Sequence, residues 1–119
     1  MAKTILVVED DPDMREWISL HLRNAGYTVR SVENGFKAAG ACLQKKPDLV
    51  SATCTPGMGG LDMIKVLNTE GGLKDIPVIF FTADTARRER STALGAVEYL
   101  TKPIAPEALV AAVAQHLVS

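Results

Sequence analysis

Uncharged runs of strand length, such as Ile5-Leu6-Val7-Val8 and Val78-Ile79-Phe80-Phe81, are separated by stretches whose apolar residues recur with helical spacing. This repeated change of period restricts the chain to alternating strands and helices. Thr4 to Val8 reads as the first strand. Asp11 then suits a helix N-cap with Pro12 at the first helical position, and Met14, Trp17, Ile18, His21, Leu22 and Ala25 carry the apolar face until Gly26 stops it. Tyr27 to Val32 reads as the second strand, Asn34-Gly35 as a turn, and Phe36, Ala39 and Leu43 as the stripe of a helix ending before Pro47. Asp48 to Ala52 is the third strand, Gly60 to Thr69 a helix with Leu61, Ile64 and Leu67 on one face, and Pro77 to Thr82 the fourth strand. An arginine-rich helix over Thr85 to Leu94, a fifth strand over Val97 to Thr101 and a closing helix over Ala105 to Val118 complete the series. Strand and helix thus alternate five times without a repeat or linker. The expectation is an α/β chain: a doubly wound, five-stranded parallel sheet with right-handed crossovers and five helices on its two faces.

With 119 residues, 47% of them hydrophobic, the chain has the size of one domain spanning 1–119 with a single core. Lys plus Arg number 13 against 14 Asp plus Glu, and a net charge of -1 offers no broad attraction for nucleic acid or an anionic membrane. No apolar run approaches the length of a membrane span, and Met1-Ala2-Lys3-Thr4 leads straight into a strand with no room for a signal peptide, so a cytoplasmic location is expected. Cys42 and Cys54 have neither metal-ligand spacing nor a disulfide-rich context and are read as thiols. Cys54 would be redox-sensitive only if exposure and a nearby cation lowered its pKa.

In a parallel sheet of this kind, functional groups gather beyond the carboxyl ends of the strands. Glu9-Asp10-Asp11, Ala52-Thr53, Thr82 and Lys102 all fall at such ends. Together with Pro47-Asp48-Leu49-Val50, Pro56-Gly57-Met58-Gly59-Gly60-Leu61, Pro77 to Ala83 and Tyr99-Leu100-Thr101-Lys102-Pro103, they make the chain resemble, along its whole length, the receiver domain of two-component response regulators. The resemblance implies a flavodoxin-like sheet of order 2-1-3-4-5. It also implies phosphoryl transfer from a phosphohistidine to an aspartate at the end of the third strand, with Mg2+ held by carboxylates after the first. Mg2+ prefers hard oxygen ligands and neutralises the charge that keeps a carboxylate from attacking a phosphoryl group. On this resemblance Asp10 is the better direct ligand and Glu9 the second, one methylene longer than the family's usual aspartate. Lys102 supplies a fixed positive charge, Thr82 a hydroxyl for phosphoryl oxygens, and Tyr99 the aromatic position whose rotamer follows that hydroxyl in switching members. Outside the resemblance, Asp11 serves equally well as a plain helix cap and Tyr99 as core packing, whereas the place of Lys102 at a strand end weighs against a plain surface amine.

The acceptor is missing. Counting back from Pro56 places it at Ala52 and counting forward from Pro47-Asp48 places it at Thr53, because the segment is one residue short of the family pattern. Neither is an aspartate. A methyl group has no nucleophile, and a threonine hydroxyl needs a general base and would give a stable ester. With one carboxylate fewer, Mg2+ binding should be weak, and Lys102 could approach Asp10 or Glu9 in its place. Asp48 opens its strand and Asp62 lies on the following helix, so neither is expected to substitute.

The leading expectation is therefore a non-enzymatic pseudo-receiver that binds a protein partner, a histidine kinase or an effector, through residues 85–118, where Arg87, Arg88 and Arg90 offer cations; a homodimer through this face is a further option. A second expectation keeps phosphorylation at Thr53, Cys54 or Thr55. A third is a phosphatase of the haloacid dehalogenase type, from the D-x-D spacing of Asp11-Pro12-Asp13, although no paired aspartates follow the fourth strand.

Overall fold

Four consecutive residues of the first strand, Ile5 to Val8, are 0–3% exposed, and this sets the architecture, since a strand buried on both faces needs cover above and below. The computed structural model describes residues 3–53, 76–82, 98–101 and 105–117; at Thr53, Phe80 to Thr82 and 98–101 the description is of the backbone. Five strands, β1 (Thr4–Val8), β2 (Thr28–Val32), β3 (Leu49–Thr53), β4 (Val78–Thr82) and β5 (Glu98–Thr101), form one sheet of order β2-β1-β3-β4-β5. Every pair is parallel. Among the described residues there are three helices, α1 (Pro12–Asn24), α2 (Gly35–Gln44) and α3 (Pro106–His116). The helices expected over 60–69 and 85–94 lie outside the described residues.

Alternation along the strands sends side chains to two separate cores. Leu6, Val8, Val50, Ala52 and Val78 pack with Ala38 and Cys42 of α2 on one face. Ile5, Val7, Leu49 and Ile79 pack with Ile18 and Leu22 of α1 and Leu109, Ala112 and Val113 of α3 on the other. The double winding expected from the sequence is therefore present. Burying each of these branched side chains stabilises the fold by about 1.5–3 kcal/mol before chain entropy is subtracted.

Local signals fix the helix ends. Asp11 is extended at φ -77°, ψ 118°, and its carboxylate accepts the Asp13 N–H at 3.0 Å. At the other end Gly26 adopts φ 101°. The Gly26 N–H then donates to the Arg23 carbonyl at 2.9 Å and the Tyr27 N–H to the Leu22 carbonyl at 3.2 Å, the paired bonds of a Schellman stop. Tyr27 is consumed by this exit, so β2 begins at Thr28. Asn34 is more than the turn residue it resembles in sequence: its side chain accepts the Lys37 N–H at 2.9 Å and caps α2.

The stripe assigned to α2 is corrected. Phe36 and Leu43 are 63% and 58% exposed, while Ala38 and Cys42 enter the core. Small residues take the inward face, against β1 and β3. The far end of α2 is tied down by Arg30 of β2, whose guanidinium donates to the Lys45 carbonyl at 2.9 Å and the Ala41 carbonyl at 3.3 Å.

Candidate functional site

The carboxyl ends of β1, β3, β4 and β5 lie along one edge, which brings Glu9-Asp10, Thr53, Thr82 and Thr101 to the same end of the sheet. The acidic loop is built from its own hydrogen bonds. Glu9 is 1% exposed; its N–H donates to the Val32 carbonyl at 3.1 Å, and its Oε2 accepts the Asp11 N–H at 3.2 Å. The Glu9 carbonyl accepts Arg15 Nη1 at 2.9 Å. Asp10 is exposed, and neither it nor Glu9 is without a partner. Asp11 caps α1 and stands at its N-terminus, so the D-x-D spacing of Asp11-Pro12-Asp13 is taken up by helix initiation.

Register decides how the two acceptor positions are placed. Val8 pairs with Ala52, and Ala52 with Phe80 of β4. The Ala52 methyl is 1% exposed among Leu6, Val8, Val50, Val78, Ala38 and Cys42, inside the core on the α2 side. Thr53 closes β3 one step farther along, opposite Phe81, where the backbone follows Val8 into Glu9 on the neighbouring strand. Thr82 ends β4 and pairs with Thr101, and Tyr99 of β5 pairs with Phe80. Lys102, Cys54, the 56–60 turn, Asp62, and Arg87, Arg88 and Arg90 lie outside the described residues. Asp48 sits at the opposite end of the sheet, where its Oδ2 accepts the Thr4 N–H at 2.7 Å.

Arg15 escapes a motif-based reading, although Asp11 as cap places it one turn into α1, with its N–H on the Asp11 carbonyl at 2.8 Å and its side chain back over the loop. It also lines an open cleft of about 390 Å3 with Ser31, Val32, Glu33 and Lys37. The Lys37 ammonium forms an ion pair with Glu33 and holds its carboxyl below the usual range. Burial pushes the Cys42 thiol up to about 11, only partly offset by Arg30.

Of the two carboxylates expected to face Mg2+, Glu9 is buried and accepts a backbone N–H, while Asp10 is exposed. Among the described residues no three acidic, histidine or cysteine side chains cluster. No helix among the described residues is long and apolar enough to cross a membrane.

The profile of the response regulator receiver domain matches residues 5–114. The chain is 35% identical over 114 residues to the phosphate regulon transcriptional regulatory protein PhoB of Pseudomonas aeruginosa, covering 93% of this chain and 50% of that protein. It is 36% identical over 120 residues to the DNA-binding response regulator MtrA of Mycolicibacterium smegmatis, covering 98% and 51%. The chain thus spans about half the length of these curated relatives. Among solved structures, the chemotaxis response regulator CheY4 of Vibrio cholerae superposes with a TM-score of 0.90 at 26% identity, over 98% of this chain and 100% of that one. The receiver domain of the Pseudomonas aeruginosa sensor histidine kinase PA1611, which has a magnesium ion coordinated in its active-site cleft, gives 0.89 at 25% identity over the whole of both chains.

Proposed function

The chain belongs to the response regulator receiver domain family of two-component signalling, and we propose that within it the protein is a pseudo-receiver, a signalling module that binds partners without accepting phosphate on aspartate. One observation carries this reading: the sequence has no carboxylate between Asp48 and Asp62, so the end of β3 offers Ala52, which is packed in the core, and Thr53. An acyl phosphate needs a carboxylate, and a threonine hydroxyl beside acidic groups lacks the low-pKa oxygen that reversible transfer uses. Mg2+ binds weakly in this proposal, because Asp10 and Glu9 supply two charges where three attract a divalent cation. Lys102 takes over part of the cation's role, while Thr82 at the end of β4 and Tyr99 within β5 have no phosphoryl group to report.

The partner in this reading is a histidine kinase or an effector protein, held by residues 85–118 with Arg87, Arg88 and Arg90 as the cationic contacts, in the cytoplasm. DNA binding is not carried over from the longer relatives. Treatment with acetyl phosphate and Mg2+ followed by intact-mass measurement tests the proposal. An unchanged mass is the expected result. A hydroxylamine-labile gain of one phosphoryl group would overturn it, and a hydroxylamine-stable gain would instead favour a substitute acceptor such as Thr53, Cys54 or Thr55.

A further inference from the structure

The open cleft at the carboxyl end of β2 gathers two cations around one carboxylate. Arg15 of α1, Ser31 and Val32 of β2, Glu33 between β2 and α2, and Lys37 of α2 line its space of about 390 Å3. In a doubly wound sheet this edge is where ligands are held. Arg15 is fixed at the cleft wall, because one Nη donates to the Glu9 carbonyl at 2.9 Å and so orients the planar guanidinium before any ligand arrives. Lys37 is ion-paired with Glu33, and the two side chains are 59% and 51% exposed. The Glu33 carboxyl is held below its ordinary range, first by the hydrogen bond and charge of Lys37 and, more weakly, by the charge of Arg15. Glu33 thus stands where an anion would sit between the two cations. An exposed pair of this kind contributes little and exchanges readily with a competing ion.

We propose that this cleft binds a small phosphate monoester as its dianion, which displaces the Glu33 carboxylate from between Lys37 and Arg15. With Glu33 turned out to solvent, the lining offers a guanidinium, an ammonium and the Ser31 hydroxyl. The two charges of the phosphate balance the two cations, where a carboxylate balances one. Its terminal oxygens accept from all three kinds of donor, and an arginine fork suits two of them at once. The start of α2 adds a partial positive charge on the same side. The space exceeds a phosphate group alone, so the alcohol it esterifies is accommodated with it. Val32 is the one apolar side chain among the described lining residues, and none of them is an aromatic that would stack a base, so a sugar or polyol phosphate fits better than a nucleotide. Binding here needs neither Mg2+ nor an acceptor at the end of β3, and is independent of the pseudo-receiver reading.

Titration of the full chain with glycerol phosphate in EDTA, at constant ionic strength and followed by proton–nitrogen correlation spectra, tests this. The expected result is saturable shifts, with a millimolar midpoint, at the Ser31, Glu33 and Lys37 amides and the Arg15 side-chain N–H. Lys37→Gln should weaken binding by about fivefold or more, because it removes a charge-assisted donor. Glu33→Gln should strengthen it by about threefold, because it removes the competing carboxylate. Both side chains are largely exposed, so both variants should keep the parent's unfolding midpoint closely enough to be compared with it. Adenosine monophosphate should bind no more tightly than glycerol phosphate. Shifts that never saturate, shifts that sodium chloride reproduces at equal ionic strength, tighter binding of the nucleotide, or an affinity that Glu33→Gln lowers or leaves unchanged each overturns the proposal.

Discussion

Placing an aspartate at each of the two residues that end β3 separates the core position from the site position. Ala52 is 1% exposed and enclosed by Leu6, Val8, Val50, Val78, Ala38 and Cys42, none of which can donate a strong hydrogen bond from its side chain to a carboxylate. Ala52→Asp forces three heavy atoms into a filled space, at about 1–3 kcal/mol. It also places a carboxyl in an apolar core, where burial raises its pKa by about 3–5 units; the group is then protonated at neutral pH, which costs about 4 kcal/mol at 1.36 kcal/mol per unit between its ordinary value and neutrality. The total of about 5–7 kcal/mol reaches the lower range of ordinary domain stability, so this variant should be largely unfolded.

Thr53→Asp acts differently. Its backbone lies one step beyond the Val8–Ala52 pair, at the strand end where Glu9 follows β1. A new carboxylate roughly 5 Å from another, at an effective dielectric of about 20, feels about 3 kcal/mol of repulsion, reduced to about 1–2 by solvent at the open edge. Urea unfolding followed by the fluorescence of Trp17, the chain's one tryptophan, measures both variants. Thr53→Asp should lose about 1–2 kcal/mol without metal and regain it in millimolar Mg2+, and should then take a labile phosphoryl group from acetyl phosphate, whereas the parent protein should respond little to either. If Ala52→Asp folds and binds Mg2+ while Thr53→Asp does not, Ala52 rather than Thr53 faces the acidic loop and this reasoning fails.

Gly26→Ala should destabilise the chain by about 1–2 kcal/mol in the same unfolding assay, because φ 101° excludes a Cβ without strain. Ser51→Ala should stabilise it by up to about 1 kcal/mol, since the buried Ser51 hydroxyl has no hydrogen-bond partner among the described residues; an unchanged or lower midpoint would show that the hydroxyl is satisfied in solution. Cys42 holds its proton to about pH 11 in the folded protein against 9.0 for the free thiol, so unfolding releases a proton between these values. The Cys42 contribution is therefore fully present below pH 9 and is lost as pH rises toward 11, seen as a falling urea midpoint that a Cys42→Ala variant should not share in full.

Most of the fold was legible because its signals are local. Apolar runs without charge marked β1 and β4, and Asp11-Pro12 and Gly26 marked the limits of α1 through caps that need only neighbouring residues. The failure at α2 was also physical. Its sequence is apolar on two sides, and size favoured Phe36 and Leu43, but the small Ala38 and Cys42 lie against the sheet. Arg15 and Arg30 were not readable, because the carbonyls they reach are set by how α1 and α2 pack rather than by spacing. The two acceptor positions were undecidable by counting, since a missing residue between the strand and Pro56 shifts one count against the other. Pairing of Val8 with Ala52 shows where each of the two lies relative to β1.

If the chain is the pseudo-receiver proposed above, the acidic loop after β1 gives a physical reason for the scaffold to persist without an acceptor. Val32 fixes the Glu9 N–H, Asp11 donates to the Glu9 carboxylate, Arg15 holds the Glu9 carbonyl, and Asp11 in turn caps α1. Each bond satisfies a group that would otherwise be stranded at a strand end or helix start, and none requires a cation or a phosphoryl group. Glu9 therefore carries a structural load that an exposed metal ligand would not, and its extra methylene lets it reach back to the Asp11 N–H. None of these bonds runs to the end of β3. In the proposed pseudo-receiver the partner-binding surface is accordingly presented continuously, and signalling through it depends on the concentration of the two proteins rather than on a phosphorylation switch.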